Sequence, residues 1–196
     1  MKHFVLFLIL VVLTACCIEN YEVKNEMQKN VLIIIASKNF RDEEFEEPYK
    51  ILSKIANITI ASSSLKEAKG MLGKVVKPNI TINDVDVRKY DAVIFVGGSG
   101  ATEYFENDVA LEIARKAYEN NKILGAICIA PVILANSGIL NGKKATVWNG
   151  EFVKILKEKG AIYTGNDVEI DGKIITANGP NAAKKFGEKI YEMLQR

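Results

Sequence analysis

Cys128 is the residue of this sequence whose setting best suits nucleophilic chemistry. It lies between a predicted strand, Ile123 to Ile127, and a predicted helix that begins at Ala130, and Ala126 and Ala130 flank it at two residues on either side. Small neighbours of this kind permit the strained strand-to-helix turn of a nucleophile elbow. A thiol at a helix start also meets backbone N–H donors and the positive end of the helix dipole, which favour the thiolate. The alternative is a buried, inert free cysteine.

Three glycines at the end of another predicted strand form a second candidate element. Gly97, Gly98 and Gly100 follow the apolar strand Asp91 to Val96. A glycine-rich turn presents backbone N–H groups to an anion or to a developing oxyanion. The run lacks the Lys-Ser/Thr ending of a phosphate-binding loop and the spacing of a dinucleotide fingerprint, so a simple tight turn is the alternative. We see no metal-ligand cluster in the sequence and predict neither a metal site nor a cofactor.

A run of acidic residues from Asp42 to Glu47 opens a predicted helix and is the third candidate element. Its simplest interpretation is a solvated helix N-terminus, where the macrodipole favours negative charge. Parallel strands, however, deliver their carboxyl ends to one rim of a sheet, so the segments after Ala36, Val96 and Ile127 converge in one crevice. A carboxyl group from the acidic run can therefore reach Cys128.

The elements that must position these residues alternate between strand and helix, which predicts an α/β domain with a parallel sheet. The predicted strands are Val31 to Ala36, Asn57 to Ala61, Asp91 to Val96, Ile123 to Ile127, Ala145 to Val147, Val168 to Ile170 and Lys173 to Thr176. The predicted helices are Asp42 to Ile55, Val109 to Asn121, Ala130 to Ser137, Glu151 to Lys159 and Asn181 to Leu194. Leu65 to Ile82, with its glycines and alternating pattern, is predicted to form a small hairpin beside the main sheet.

The composition indicates one globular domain with no affinity for nucleic acid. The chain has 196 residues, and its 26 basic and 24 acidic residues leave a formal net charge of +2. No Lys/Arg run forms a basic patch. Of the three cysteines, Cys16 and Cys17 lie near the N-terminus, so Cys128 has no partner within the domain for a structural disulfide.

The first residues have the pattern of an export leader rather than of a folded domain. Lys2 and His3 precede an apolar stretch from Phe4 to Leu13, and small residues follow. Leu13 to Cys16 is similar to a bacterial-type lipobox, in which Cys16 becomes the lipidated first residue. An uncleaved anchor is the alternative, although the stretch is shorter than the ~20 residues of a spanning helix. We therefore predict a leader or anchor at 1–17, a linker at 18–29, a folded domain at 30–196, and a location at a membrane surface outside the cytoplasm.

Four ordered blocks of the sequence resemble the ThiJ/PfpI family of the class I glutamine amidotransferase-like superfamily, whose members include intracellular proteases and deglycases. The blocks are Phe40 to Pro48, Tyr90 to Gly98, Ala126 to Pro131 with its central cysteine, and Gly172 to Pro180. The resemblance implies a flavodoxin-like three-layer sandwich with a mostly parallel central sheet and a nucleophile elbow. It also implies a homodimer or higher homo-oligomer.

The resemblance also assigns roles to individual residues. Cys128 matches the family's nucleophile, and Glu44 matches the glutamate that hydrogen-bonds the nucleophilic thiol. The turn at Gly97 and Gly98, together with the N–H group of Ile129, matches the oxyanion site. A protonated Glu44 that donates to the thiolate would stabilise it.

The sequence departs from the family where a histidine is expected. Ile129 follows the cysteine where the proteolytic branch has histidine, and Trp148 occupies the position of the histidine of the deglycase branch. The only histidine of the chain is His3, within the predicted leader. A Cys-His-acid mechanism therefore lacks its imidazole base.

Two functions and an inert scaffold remain open at this point. The first is a cysteine-dependent hydrolase or lyase, of the peptidase or deglycase/glyoxalase type, that acts on a small carbonyl compound or a peptide through Cys128, with Glu44 tuning the thiol. The second is a non-catalytic redox-sensing or chaperone-like protein that uses oxidation of Cys128. The third is a membrane-attached scaffold in which Cys128 has no role.

Overall fold

The computed structural model describes residues 28–196. The strands are β1 Lys29–Ile34, β2 Lys38–Phe40, β3 Ala56–Ser62, β4 Ala68–Gly70, β5 Val75–Val76, β6 Ile80–Thr81, β7 Ala92–Phe95, β8 Ile123–Ile127, β9 Lys144–Ala145, β10 Ile162–Tyr163, β11 Val168–Asp171 and β12 Ile174–Ala177. The α-helices are α1 Asp42–Leu52, α2 Asp108–Glu119, α3 Pro131–Asn136, α4 Glu151–Glu158 and α5 Ala183–Leu194. Short 3-10 helices occur at Ile82–Asp84, Val87–Lys89, Ser99–Tyr104 and Pro180–Ala182.

A seven-stranded sheet in the order β11-β12-β8-β7-β1-β3-β6 forms the centre of the domain. All its pairs are parallel except β11 with β12, which are antiparallel. The predicted mostly parallel sheet is confirmed. Its adjacent central strands β1, β7 and β8 end at the same edge, and the segments that follow them carry the candidate residues.

The two faces of strand β1 show how the sheet separates two cores. Val31 and Ile33 belong to one buried cluster, which also contains residues of α1 and α5. Leu32 and Ile34 belong to the other, which contains residues of α2 and α3. Because successive side chains of a strand point to opposite faces, a strand covered on both sides must be apolar throughout. Helices on both faces give the predicted flavodoxin-like three-layer sandwich.

Two smaller sheets lie outside the main one, and they differ in part from the sequence prediction. The hairpin predicted within Leu65 to Ile82 is confirmed for β4 and β5, which are antiparallel and join β2 in a three-stranded sheet. The end of that segment behaves differently, since β6 pairs in parallel with β3 at the edge of the main sheet. Strands β9 and β10 form a separate parallel pair. Strands β2 and β10 were not predicted, because runs of two or three residues show no periodicity.

The predicted leader at 1–17, including Cys16, and most of the predicted linker at 18–29 lie outside the described residues. The domain begins with β1 at Lys29, next to the predicted domain boundary. Within residues 28–196, no helix combines the length and the apolar character needed to cross a bilayer. The membrane anchor, the lipidation of Cys16 and the location outside the cytoplasm stay predictions, as does the homo-oligomer.

Candidate active site

Cys128 occupies a strained turn directly after strand β8. Its φ of 63° lies in the left-handed region, which non-glycine residues rarely adopt. Two backbone hydrogen bonds hold the turn: the Cys128 N–H donates to the Ala177 carbonyl at 2.9 Å, and the Cys128 carbonyl accepts from the Trp148 N–H at 2.8 Å. Pro131 opens helix α3 three residues later. The predicted nucleophile elbow is confirmed, and the side chain of Cys128, at 8% exposure, lies almost entirely within the protein.

The strain at the elbow predicts an unusual order of stability among variants. A left-handed conformation costs roughly 1–2 kcal/mol in a residue with a Cβ atom, and glycine avoids this cost. Glycine itself loses roughly 0.5–1 kcal/mol through the entropy of the unfolded chain. We expect Cys128→Gly to unfold with a free energy about 0.5–1 kcal/mol higher than Cys128→Ala in urea titrations.

The matched control is Ala126→Gly in strand β8, where backbone strain is absent and glycine should destabilise the protein. If Cys128→Gly is less stable than Cys128→Ala by as much as Ala126→Gly is less stable than wild type, the left-handed turn contributes no strain.

Glu44 brings its carboxyl group to the elbow from the first turn of helix α1. The residue is completely buried, and neither carboxyl oxygen has a hydrogen-bond partner of good geometry. Gly97 makes the approach possible. A Cβ atom at Gly97 would lie 2.6 Å from both the Cys128 Cβ and the Glu44 Oε2, so only glycine fits between the two side chains. The structure thus brings together three residues that the sequence analysis selected.

Burial raises the pKa of Glu44 to about 8, although the nearby Cys128 thiol, Arg41 and the Gly97 backbone oppose the increase. The carboxyl group is therefore protonated at neutral pH. The Cys128 thiol and the Gly97 backbone are the polar groups beside this carboxyl, so its proton lies close to the sulfur.

The pKa of the Cys128 thiol shifts in the direction opposite to that predicted from the sequence. Burial and an ionised Glu44 raise the pKa of Cys128 to about 12, whereas the backbone N–H groups of Gly98 and Ile129 lower it. The prediction of a lowered pKa at a helix start is therefore wrong, because desolvation outweighs the helix dipole. The two groups share protons: one proton leaves the pair near pH 8, and the second is retained because the first loss leaves a negative charge beside it.

Gly98 and Ile129 provide the backbone donors of the site. Gly98 has a φ of 91°, and a side chain there would collide with the backbone of Arg41 and Asn39. The backbone of Gly98 is therefore close to the start of α1 and presents its N–H group to the sulfur of Cys128, as Ile129 does from the other side. These are the two N–H groups that the resemblance implies for an oxyanion, and they stay candidates for that role.

The other acidic residues at the start of α1 have structural partners. Asp42 is buried and accepts hydrogen bonds from the N–H groups of Leu72 at 2.9 Å and Lys74 at 2.7 Å. It thereby fixes the β4–β5 turn over the start of the helix. Glu43 forms a bidentate ion pair with Arg41, at 2.8 and 3.0 Å. The interpretation as a solvated helix end is therefore wrong for Asp42, whereas Glu44 is buried beside Cys128 as expected for the carboxyl group that reaches the thiol.

A cavity of about 270 Å³ lies against Cys128 and Glu44. Residues from six separated segments line it: Arg41, Glu44, Met71, Gly98, Ser99, Cys128, Ile129, Trp148, Phe152 and Pro180. Five of these residues were not predicted from the sequence as site residues: Arg41, Met71, Ser99, Phe152 and Pro180. No local pattern marks them, because they meet only when the hairpin and helix α4 pack around the elbow.

The comparison with protein families agrees with this geometry. The model of the DJ-1/PfpI family matches residues 29–193, which is nearly the whole described domain. The chain belongs to the DJ-1/PfpI family. The family resemblance inferred from the four sequence blocks is thereby confirmed.

Several relatives within the DJ-1/PfpI family cover most of the chain. An uncharacterised protein of Methanocaldococcus jannaschii is 41% identical over 100% of this chain and 98% of its own length. The deglycase PfpI of Pyrococcus furiosus is 29% identical and covers 84% of this chain and 99% of its own. Among solved structures, a ThiJ/PfpI domain protein from Brachyspira murdochii has a TM-score of 0.82 at 29% identity, and the match spans 85% of this chain and 96% of that one.

The family also contains relatives with other named activities. A glutathione-independent glyoxalase of Caenorhabditis elegans is 27% identical over 86% of this chain and 90% of its own. A putative cysteine protease of Bacillus subtilis is 28% identical over 86% of this chain and 100% of its own. The chain therefore has deglycase, glyoxalase and protease-named relatives at similar distances.

Proposed function

We propose that this protein is a cysteine-dependent enzyme of the glyoxalase or deglycase type, which adds the Cys128 thiol to a small carbonyl compound. The observation that carries the proposal is the burial of Cys128 beside a protonated Glu44 at the end of a small cavity. A sulfur nucleophile and a proton donor on one carbonyl group are the requirements of this addition.

The arrangement suits a 2-oxoaldehyde in particular. In the form of the pair that has lost one proton and carries the remaining one on Glu44, the Cys128 thiolate attacks the aldehyde carbon, a C–S bond forms, and the carbonyl oxygen takes the Glu44 proton. The Glu44 carboxylate then removes the hydrogen of that carbon as a proton, and the freed electron pair forms an enediolate. The proton returns to the neighbouring carbon, and the hydroxyl proton passes to the adjacent oxygen, which gives a thioester. Water cleaves the thioester, so the net reaction adds one water molecule and yields a 2-hydroxy acid without oxidant or reductant.

A peptidase is a less suitable function for the same site. Cleavage of an amide requires protonation of a poor leaving group, which histidine performs in cysteine and serine proteases. Residues 28–196 contain no histidine, since the single histidine of the chain is His3. Glu44 alone, deeply buried, would have to protonate the leaving amine of a bulky peptide in a cavity of about 270 Å³.

A substrate panel with the full chain tests this proposal. We expect the protein to convert methylglyoxal to lactate, or to release lactate from a methylglyoxal-modified amine, and to leave a peptide panel uncut. The Cys128→Ala variant is the control for each substrate. Cysteine-dependent peptide cleavage without methylglyoxal turnover would contradict the proposal.

The same samples test the redox alternative. Exposure to peroxide followed by mass measurement detects sulfenic or sulfinic acid at Cys128. Selective oxidation in a protein that turns over no carbonyl substrate would overturn the enzymatic proposal in favour of a redox sensor.

A further inference from the structure

The walls of the Cys128 cavity are mostly apolar, which bears on the substrate of the proposed enzyme. Apart from the reacting pair and Arg41, its large side chains are the apolar ones of Met71, Ile129, Trp148, Phe152 and Pro180. Apolar walls gain free energy when an apolar group replaces water beside them. The part of a substrate that extends beyond the reacting carbonyl therefore meets a surface that favours hydrocarbon.

The cavity is large for the smallest carbonyl compounds. Its volume of about 270 Å³ corresponds to about nine water molecules at roughly 30 Å³ each. Methylglyoxal, with five non-hydrogen atoms, fills only part of that space and leaves water against the apolar walls. An arylglyoxal, with ten, fills most of it.

The charges around the cavity compensate each other. Arg41 is engaged by Glu43 through two hydrogen bonds of 2.8 and 3.0 Å, and Glu44 keeps its proton at neutral pH. The site thus offers neither a free cation for a carboxylate substrate nor a free anion for an ammonium group. A site without a free charge favours uncharged carbonyl compounds over oxo acids or amino aldehydes.

Trp148 contributes an aromatic ring to the wall of the cavity. Its backbone N–H group donates to the carbonyl of Cys128 at 2.8 Å, which fixes the Trp148 backbone relative to the elbow. The ring lies against Gly179, where a Cβ atom would come within 2.6 Å of it. The side chain is nevertheless 47% exposed, so part of its apolar surface remains available to a ligand. A fixed, half-exposed aromatic ring beside a reactive atom is typical of a specificity-determining residue.

We propose that Trp148 makes this site selective for uncharged 2-oxoaldehydes with an aromatic or large apolar side chain. This inference rests on the proposed function. It assigns the unreactive end of the substrate to the surface formed by Trp148 and Phe152, while the aldehyde carbon faces Cys128.

Specificity ratios test the inference by kinetics. We expect kcat/KM for phenylglyoxal to exceed that for methylglyoxal by at least about 10-fold, the discrimination that a few apolar atoms provide in a pocket. Trp148→Ala should reduce the ratio to about 3 or less, while Trp148→Phe retains most of it. The matched control is Tyr118→Ala on helix α2, an aromatic residue with a similar 45% exposure. A wild-type ratio near 1, or a ratio that Trp148→Ala leaves unchanged, would overturn the inference.

Binding measurements separate this inference from the proposed function. Trp148 is the only tryptophan of the chain, so intrinsic tryptophan fluorescence reports on this site alone. In the Cys128→Ala variant we expect the neutral product analogue mandelamide to change the fluorescence and to bind at least about 10-fold more tightly than lactamide. Equal affinities would refute the selectivity. Preferential binding of mandelamide by a protein that turns over no oxoaldehyde would refute the proposed function and retain the selectivity.

Discussion

Replacing Cys128 by serine is expected to lower kcat/KM for a 2-oxoaldehyde by at least about 10³-fold, because the hydroxyl is a far weaker nucleophile at neutral pH. Serine keeps the size of the side chain and its hydrogen-bonding capacity. The variant should therefore retain the fold, with a free energy of unfolding within about 1 kcal/mol of wild type. Initial rates of 2-hydroxy acid formation and urea titrations measure the two effects.

The pH dependence of thiol labelling by iodoacetamide gives a second measurement at Cys128. Because burial and an ionised Glu44 both raise the pKa of Cys128, we expect iodoacetamide labelling of wild-type Cys128 to rise only well above the ordinary thiol pKa of about 8.5. In Glu44→Gln the neighbouring negative charge is lost while burial still raises the thiol pKa, so the labelling midpoint should move to lower pH without reaching that of a free thiol. Unchanged turnover in Cys128→Ser, or identical labelling profiles in wild type and Glu44→Gln, would contradict the assigned roles.

The Glu44→Gln substitution is expected to raise the free energy of unfolding at pH 8 more than it does at pH 4.5. The pKa of Glu44 rises from 4.5 in the unfolded chain to about 8 in the folded protein. As the pH rises through this window, the unfolded chain ionises while the folded one keeps its proton, so the wild type loses stability. The loss is on the order of 4 to 5 kcal/mol. Glutamine does not ionise, so the Glu44→Gln variant does not lose this stability as the pH rises. Activity should fall at least about 10²-fold, since the amide cannot transfer the proton.

Glu47→Gln, on the same helix but outside the cavity, is the matched control for this prediction. Free energies of unfolding of the three proteins, measured at pH 4.5, 6 and 8, give the difference between variant and wild type at each pH. A Glu44→Gln difference that stays constant across the three would show that Glu44 ionises normally in the folded protein. The expected combination of higher stability and lower activity is typical of a group kept in an unfavourable environment for function.

Strand β8 shows how much of the fold can be predicted from the sequence. The buried run Ile123 to Ile127 was predicted with the bounds that the structure has, because a strand covered by helices on both faces must be apolar throughout. The small residues around Cys128 likewise predicted the elbow, which the φ of 63° confirms. Both features depend on residues adjacent in the chain, so a single sequence contains the information.

The environment of the reacting groups could not be predicted in the same way. The dipole argument at Cys128 predicted a lowered thiol pKa, but the desolvation that reverses it depends on the segments that pack over the elbow. Similarly, Asp42 and Glu44 belong to one acidic run, and their different partners lie far away in sequence. The β4–β5 turn covers Asp42, while Gly97 and the elbow enclose Glu44.

The sequence by itself therefore determined the parallel sheet, the elbow at Cys128 and, through four ordered blocks, the family and the choice of Glu44. Only the tertiary structure decided that Glu44 is buried and protonated, that Asp42 fixes the hairpin, and that Trp148 and Met71 face the thiol across an apolar cavity. The physical reason is that desolvation and cavity shape depend on which distant segments cover a residue. Strand periodicity and turn strain, in contrast, are set by neighbours along the chain.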